Sequence, residues 1–269
     1  MAIAEDFDFN NINISVGSLE VRLAENNLEI DAAQALRYKV FFEEMKAKPN
    51  LKQKKSKRDF DSFDHYFDHI LVIDHNIAGK ITDKVVGTYR VNRGNYEGKK
   101  NFFYTSGEYN LDKLIKFSGN ILELGRSCVD KNYRNGKTMQ LLWSFIAQYV
   151  AKYDIKIMFG CASFPGIDVN THSYALSYLY KKYLAPSNIR PIALKERFIS
   201  MNINNGHEND NNFKNFISSI PPLIKGYIRL GAFVGDGAVI DHEFNTIDVC
   251  IVLPTAKIAS RYMEHYDRK

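Results

Sequence analysis

The segment from Ile121 to Lys152 constrains the fold more than any other part of the sequence. A strand-like apolar run that ends at Val129 is followed by a short polar loop with a single glycine, Gly136, and then by an amphipathic helix that starts near Lys137. A strand that enters a helix through a tight loop leaves several backbone N–H groups unpaired and pointing one way, which favours an anion such as a phosphate. The loop has neither the GxxxxGK[ST] nor the GxGxxG pattern of nucleotide-binding loops. It suits a smaller ligand, such as a phosphopantetheine arm; an ordinary strand–loop–helix connection is the alternative.

Strand-like and helix-like segments alternate along the 269 residues. Apolar residues recur at three- and four-residue spacing between Glu29 and Met45, which predicts a helix, and short apolar runs predict strands. Strands are predicted at 19–24, 69–74, 85–91, 121–129, 155–161 and 246–253, and further helices at 110–116, 137–152, 172–184, 221–231 and 256–265. This interleaving predicts an α/β protein with a three-layer α/β/α architecture and a mixed sheet. We predict a flexible tail over residues 1–18 and a single domain over residues 19–269, with an insertion at about 170–220 before the last helix–strand unit.

Composition predicts no transmembrane helix. Hydrophobic residues make up 45% of the chain and charged residues 25%, and no window approaches 18 uninterrupted apolar residues. The acidic N-terminus lacks the basic and apolar regions of a secretory signal, so we expect a cytoplasmic protein, with peripheral contact at the inner membrane surface left open. The cysteines have neither disulfide nor metal-ligand spacing and are predicted to be buried thiols, with Cys128 as an alternative nucleophile because it adjoins the loop.

A basic run over residues 46–58, predicted to be an exposed loop, has three interpretations. It is solvated surface, or a docking site for an acidic partner protein through Lys52–Arg58, or a surface attracted to anionic lipid heads. Nucleic acid is not expected as a partner, because no aromatic residues are interleaved with the charges. No metal is predicted near His65 and His69, since HExxH and cysteine partners are absent.

Several motifs in order along residues 19–265 resemble one enzyme family. The strand, glycine loop and helix, with the later YIRLGA segment, resemble the GNAT superfamily of acyltransferases. The chain is similar in more detail to the bacterial ornithine–acyl-carrier-protein N-acyltransferases, also called hemolysin-like, at LRYKVFFEE (36–44), DSFDHYFDH (61–69), VVGTYRV (85–91), ELGRSCV (123–129), FGCASFPGID (159–168) and GYIRLGAFVGDGAVID (226–241).

This resemblance implies an activity. It is the transfer of a long, 3-hydroxylated fatty acyl chain from acyl carrier protein to the α-amine of L-ornithine, which gives lyso-ornithine lipid. No cofactor is bound permanently, and the acyl donor is the phosphopantetheine arm of the carrier or an acyl-CoA. The alternatives are an acetyl-CoA-dependent N-acetyltransferase of a small amine and a non-enzymatic, hemolysin-like membrane-binding protein.

A more distant resemblance to the acyl-homoserine lactone synthases implies a charged substrate site. Guanidinium groups match the α-carboxylate of an amino acid, and carboxylates match the ammonium of the ornithine side chain. The predicted substrate-binding residues are therefore Arg37, Arg90, Asp61, Asp64 and Glu44, together with Phe41. The alternative is that these charges only pin the 46–69 loop to the sheet.

Amide formation from a thioester needs a neutral amine, a polarised carbonyl and a protonated leaving thiolate. On the same resemblances Glu123 is the candidate base, paired in an E-x-x-R motif with Arg126, and Tyr227 is the candidate acid. Structural readings, a strand ion pair for Glu123 and a packed helix face for Tyr227, are the alternatives. A bulge in the strand would bring Glu123 and Arg126 to one face and admit the pantetheine arm.

The backbone between Gly125 and Val129 is predicted to donate to the thioester oxygen. The loop reads YRNGKT, with Thr138 where acetyl-CoA enzymes of the superfamily have a second small residue, which favours the single phosphate of a carrier-bound arm over a CoA diphosphate. The predicted phosphopantetheine-binding residues are Gly125, Ser127, Val129, Arg134, Asn135, Gly136, Lys137 and Thr138.

Overall fold

Residues 12–94, 102–203 and 219–256 are described by the computed structural model of this chain. The chain divides into two compact units, each described here by itself. The first consists of Met1–Met45, Pro49–Val91 and Arg126–Asp154, and the second of Lys46–Lys48, Asn92–Gly125 and Ile155–Lys269.

The first unit contains an antiparallel sheet. Its strands are β1 (Asn13–Val16), β2 (Leu19–Leu23), β3 (Asp68–Asp74) and β4 (Val85–Gly94, of which residues 85–91 belong to this unit), and each pairs with the next along the chain. Its helices are α1 (Asn27–Tyr38), a π-helix (Lys39–Glu44) that continues α1, α2 (Leu51–Ser56), α3 (Ile81–Lys84) and α5 (Lys137–Lys152).

Helices α1 and α5 pack on opposite faces of these strands. Successive side chains of a strand point to opposite faces, so neighbouring residues of one strand contact different helices. Leu71 and Ile73 of β3 share a core with Leu36 and the rest of the apolar stripe of α1. Val72, between them, faces the other way. A Cβ placed on Gly87 of β4 would lie 3.4 Å from Val72 and 2.8 Å from a methyl of α5. This layering confirms the α/β prediction and positions the start of α5.

The second unit contains a mixed sheet. Its strands are β5 (Tyr109–Asn110), the first half of β6 (Asn120–Val129), β7 (Ile155–Pro165), β8 (Ile192–Ala193), β9 (Phe233–Asp241) and β10 (Thr246–Pro254), in the order β6-β7-β10-β9-β8-β5. The β6–β7 and β9–β8 pairs are parallel and the others antiparallel. Its helices are α4 (Asp112–Ile115), α6 (Val169–Tyr183) and α7 (Pro222–Arg229). The buried Tyr109 hydroxyl donates to the carbonyls of Gly237 and Asp248, each at 3.0 Å, and ties β5 to the sheet.

Most predicted elements are confirmed. Helix α5 has the predicted bounds, and α7 begins at a proline as expected. Within the described ranges no helix is both long and apolar enough to cross a bilayer. The prediction of a single domain with an insertion at 170–220 stays a prediction; α6 and the β8 pairing fall within that stretch.

Two predictions need correction. The predicted tail ends too late, because Asn13–Val16 is a strand paired with β2. The predicted loop over 46–58 contains α2, which starts with a capping box between Asn50 and Gln53. Most of the helix predicted at 256–265 lies outside the described residues.

Candidate active site

The second half of β6 leads into the site through a backbone kink. Arg126 has φ 51°, in the left-handed region that non-glycine residues rarely adopt. Such a residue bends the strand and breaks the alternation of its side chains, as in a β-bulge. A left-handed residue therefore interrupts β6 at Arg126, and the bulge considered from the E-x-x-R spacing stays a prediction.

The loop after β6 leaves the start of α5 open. Gly136 has φ 90° and is the N-cap residue without a side-chain cap, and the backbone N–H of Lys137 donates to Asn135 Oδ1 at 3.1 Å. Asn135, Gly136 and Lys137 are all exposed. A sixteen-residue helix with an uncapped, exposed N-terminus and a lysine in its first turn is suited to an anion.

Two buried hydroxyls lie beside this loop. Thr138, the second residue of α5, is 0% exposed, and its Oγ1 has no hydrogen-bond partner among the described residues. The Oγ of Ser127 on β6 is also buried without a partner in the described part of the chain. Buried hydroxyls normally find a partner, so both can accept one from a ligand or a water.

Arg134 is held by the first unit itself. Its guanidinium donates to Glu44 at 2.7 Å and to the carbonyl of Val129 at 3.0 Å. Arg134, which was predicted to bind a phosphate, and Glu44, which was predicted to bind an ammonium, thus neutralise each other in this structure. The pair is partly exposed, so its net stabilisation is small. Phe41, predicted nearby, is half-buried and packs against the α1–β3 core.

A cluster of three arginines and three aspartates fills the interior of the first unit. Arg37 Nε donates to Asp59 at 2.9 Å and its Nη2 to both oxygens of Asp64 at 2.9 Å. Arg90 Nη1 donates to Asp64 at 2.7 Å. The remaining contacts are the bidentate pair of Arg90 with Asp61 and the contacts of Arg126 with Asp59 and Asp61.

Burial and charge oppose each other in this charged cluster. Arg37 and Arg90 are 0% and 1% exposed. Burial alone would raise the pKa of Asp64, but the charges of Arg37 and Arg90 hold it well below its usual range. His69, whose Nε2 lies 3.0 Å from the Asp64 carbonyl oxygen, has its pKa lowered to about 4 by burial and by Arg37. The cluster is therefore electrically balanced, with a neutral histidine.

These contacts bear on the predicted substrate residues. The guanidinium groups of Arg37 and Arg90 already bind carboxylates of their own unit, which supports the alternative that the charges pin residues 59–64 to α1 and β4. Asp61 is the more accessible aspartate, with 21% of its side chain exposed. Direct substrate binding by these residues stays a prediction.

One member of the charged cluster and two of its neighbours were not predicted from the sequence. The member is Asp59, which contacts two of the arginines. The neighbours are Gln34, whose amide donates to Asp64 at 3.0 Å, and His69. The pattern DFDSFD places Asp59 two residues before Asp61 and could have indicated it. No local signal marks Gln34.

Glu123 lies in the second unit. Its carboxylate accepts the backbone N–H groups of Tyr104 at 3.0 Å and Thr105 at 2.7 Å, and the residue is 1% exposed. These bonds account for a buried carboxylate as the anchor of the 3₁₀ turn Tyr104–Gly107. Tyr227 lies on α7 and is 5% exposed. The base and acid roles of these two residues stay predictions.

The second unit also contains a buried acidic group. One ligand atom each from Glu108, Cys161 and Asp248 lies within 4.8 Å of the others, so these residues could hold a metal ion. Burial and the charge of Asp248 raise the pKa of Glu108 to about 7. The absence of a metal stays a prediction.

Cys128 and Cys250 are buried, as predicted, whereas Cys161 is half-buried. Burial raises the pKa of Cys128, Cys161 and Cys250 well above the ordinary value, which keeps them protonated. A protonated, buried Cys128 argues against the alternative of a nucleophile.

Comparison with known proteins shows that the chain is an acyltransferase with the GNAT fold. A family model described as an acetyltransferase (GNAT) domain matches residues 36–144, which include the charged cluster and the loop. The chain is 45% identical over 253 residues to the L-ornithine N(alpha)-acyltransferase of Agrobacterium fabrum, covering 93% of this chain and 86% of that protein. It is 44% identical to the enzyme of the same name from Rhizobium meliloti, covering 93% and 85%. The chain belongs to the L-ornithine N(alpha)-acyltransferase family.

The solved structure of the acyl-homoserine lactone synthase LasI is also similar. It has 12% sequence identity and a TM-score of 0.44, covering 88% of this chain and 90% of that one.

Proposed function

We propose that this enzyme transfers a long, 3-hydroxylated fatty acyl chain from acyl carrier protein to the α-amine of L-ornithine, giving lyso-ornithine lipid. The observation that supports this most is the 45% identity, over 93% of the chain, to a protein named L-ornithine N(alpha)-acyltransferase. In the reaction the amine nitrogen forms a bond to the thioester carbon, the C–S bond breaks, and the nitrogen loses a proton while the thiolate gains one.

The open start of α5 is proposed to hold the phosphate of the donor's pantetheine arm. Exposed backbone N–H groups and Lys137 supply positive charge there. Backbone N–H groups after the kink at Arg126 are proposed to donate to the thioester oxygen as negative charge develops. No cofactor is bound permanently in this scheme.

Helix α2 is proposed as the docking surface for the carrier protein. Lys52, Lys54 and Lys55 are exposed on a short helix, and Leu51 at its start is 87% exposed. A basic surface accelerates encounter with an acidic partner by electrostatic steering, and an exposed apolar side chain supplies a contact at its centre. Release of an amphiphilic product fits a cytoplasmic enzyme with peripheral contact at the inner membrane surface.

Ornithine is proposed to bind beside the accessible edge of the charged cluster. Asp61, with 21% of its side chain exposed, is the candidate for the side-chain ammonium. An amino acid with a neutral or shorter side chain would lack this partner. Selectivity for ornithine over glutamine or glycine follows from the same contact.

The test is an assay of the purified protein with three donors and several amino acids. The donors are 3-hydroxyacyl carrier protein, the CoA ester of the same chain, and acetyl-CoA, and the acceptors are ornithine, lysine, glutamine and glycine. Free thiol and acylated product are measured together. We expect acyl-ornithine from the carrier donor. The proposal would be rejected if acetyl-CoA were the only donor that gave product, or if none of the amino acids were acylated.

A further inference from the structure

The kink at Arg126 differs from every other left-handed non-glycine residue in the described part of the chain. The others, Lys46, Lys57, Asp154 and Asn245, lie in turns or within two residues of a helix end, where such backbone is common. Arg126 lies inside strand β6. A strand residue in this conformation reverts to extended backbone unless its surroundings hold it.

The side chain of Arg126 is held by carboxylates of the same unit. Its Nε lies 3.3 Å from Asp59 Oδ2, and its Nη2 donates to Asp61 Oδ2 at 3.3 Å. Of these two carboxylates Asp59 is the buried one, at 1% exposed. It is therefore the partner less screened by water.

Asp59 is itself fixed at several points. Its carboxylate accepts from Arg37 Nε at 2.9 Å, its carbonyl from Arg37 Nη2 at 2.6 Å, and its backbone N–H donates to the carbonyl of Gln34 at 3.0 Å. Both Gln34 and Arg37 belong to α1. A charge anchored in this way to a helix resists movement of the arginine it contacts.

We propose that Asp59 is a positioning residue that holds Arg126 in the left-handed conformation and so sets the direction of the backbone N–H groups that follow it. The backbone N–H of Asp130, the residue after β6, donates to the Val86 carbonyl at 2.9 Å and fixes the far end of the stretch that follows Arg126. This inference rests on the proposed function, in which those N–H groups face the thioester oxygen. It assigns Arg126 a backbone role in place of direct substrate contact.

A comparison of Arg126→Gly with Arg126→Ala separates a backbone role of Arg126 from a side-chain role. Glycine adopts positive φ without penalty, whereas alanine favours the extended strand. If the backbone matters, Arg126→Gly keeps kcat on the order of tenfold above Arg126→Ala. Equal losses in the two variants would overturn the proposal.

Asp59→Asn tests the holding group. We expect kcat to fall on the order of tenfold with the KM for ornithine within about twofold, and no further loss when the substitution is added to Arg126→Gly. Glu29→Gln is the matched control, because Glu29 is a buried carboxylate that pairs with Arg22 at 2.6 Å. Full additivity of Asp59→Asn and Arg126→Gly, or an equal kcat loss in the control, would overturn the proposal.

Amide hydrogen exchange of residues 124–130 gives a readout that needs no substrate. Asp59→Asn should speed exchange there on the order of tenfold, and Glu29→Gln should not. If the wild type makes acyl-ornithine and Asp59→Asn changes neither the exchange rate nor kcat, the positioning role alone is rejected. If the wild type acylates no amino acid but exchange is faster in Asp59→Asn, the positioning role is supported and the proposed function alone is rejected.

Discussion

Asp64→Asn removes one negative charge from the middle of the charged cluster. The Asp64 carboxylate accepts from Arg37, Arg90, Gln34 and the backbone N–H of Asp61, at 2.7 to 3.2 Å. Asparagine keeps the shape but leaves three arginines facing two aspartates. Removing one partner of a buried ion pair costs about 3–5 kcal/mol, since a charge stays buried without compensation. At about 2–4 °C per kcal/mol for a chain of this size, the melting temperature should fall by about 6–20 °C.

Thermal unfolding followed by circular dichroism measures this effect, and steady-state kinetics below the melting temperature measure the KM for ornithine. Asp31→Asn is the control, because Asp31 pairs with Arg58 at 2.7 Å but is 43% exposed, so its loss should stay below about 1 kcal/mol. A melting temperature for Asp64→Asn within about 2 °C of the wild type, with a raised KM for ornithine, would refute the structural role. It would favour direct recognition of the substrate by Asp64.

Three further perturbations follow from the structure. The buried His69, with its pKa lowered to about 4, stays neutral when folded, so the unfolded chain binds more protons between about pH 4 and 6.5. The contribution of His69 to the free energy of unfolding should therefore be complete above pH 6.5 and fall by about 3 kcal/mol as the pH drops to 4. Urea titrations at several pH values measure this, and a His69→Gln variant whose free energy of unfolding depends on pH as in the wild type would contradict it. Gly87→Ala places a Cβ 2.8 Å from the methyl of Thr138, so it should shift the start of α5. The KM for the acyl donor should rise several-fold while the KM for ornithine stays unchanged. A donor KM equal to that of the wild type would count against a phosphate site at the start of α5. Charge reversal at Lys54 and Lys55 should raise the KM for carrier substrate but not for the matching CoA ester, with weaker salt dependence; an equal effect on both donors would remove the docking role of α2.

Local sequence patterns were sufficient to predict many of the helices and strands of this protein. The apolar periodicity and the single loop glycine predicted α5 with its observed bounds, because helix periodicity and an αL-compatible residue act over a few neighbours. The motif series predicted the acyltransferase family and its fold. The error at α2 was also local: Asn50 and Gln53 have the spacing of a capping box, but the density of lysines favoured a loop.

Tertiary structure alone decided which charges meet. Arg37 and Asp59 are 22 residues apart in sequence, and Arg90 and Asp61 are 29 apart, so no local pattern specifies their pairing. The sequence offered these arginines equally as substrate ligands or as structural pairs, and their burial among aspartates favours the second. The left-handed backbone at Arg126 is likewise set by what surrounds it, since an arginine in an apolar strand run gives no local reason for positive φ. Long-range packing fixes both because ion pairing and backbone strain depend on groups that only the folded chain brings together.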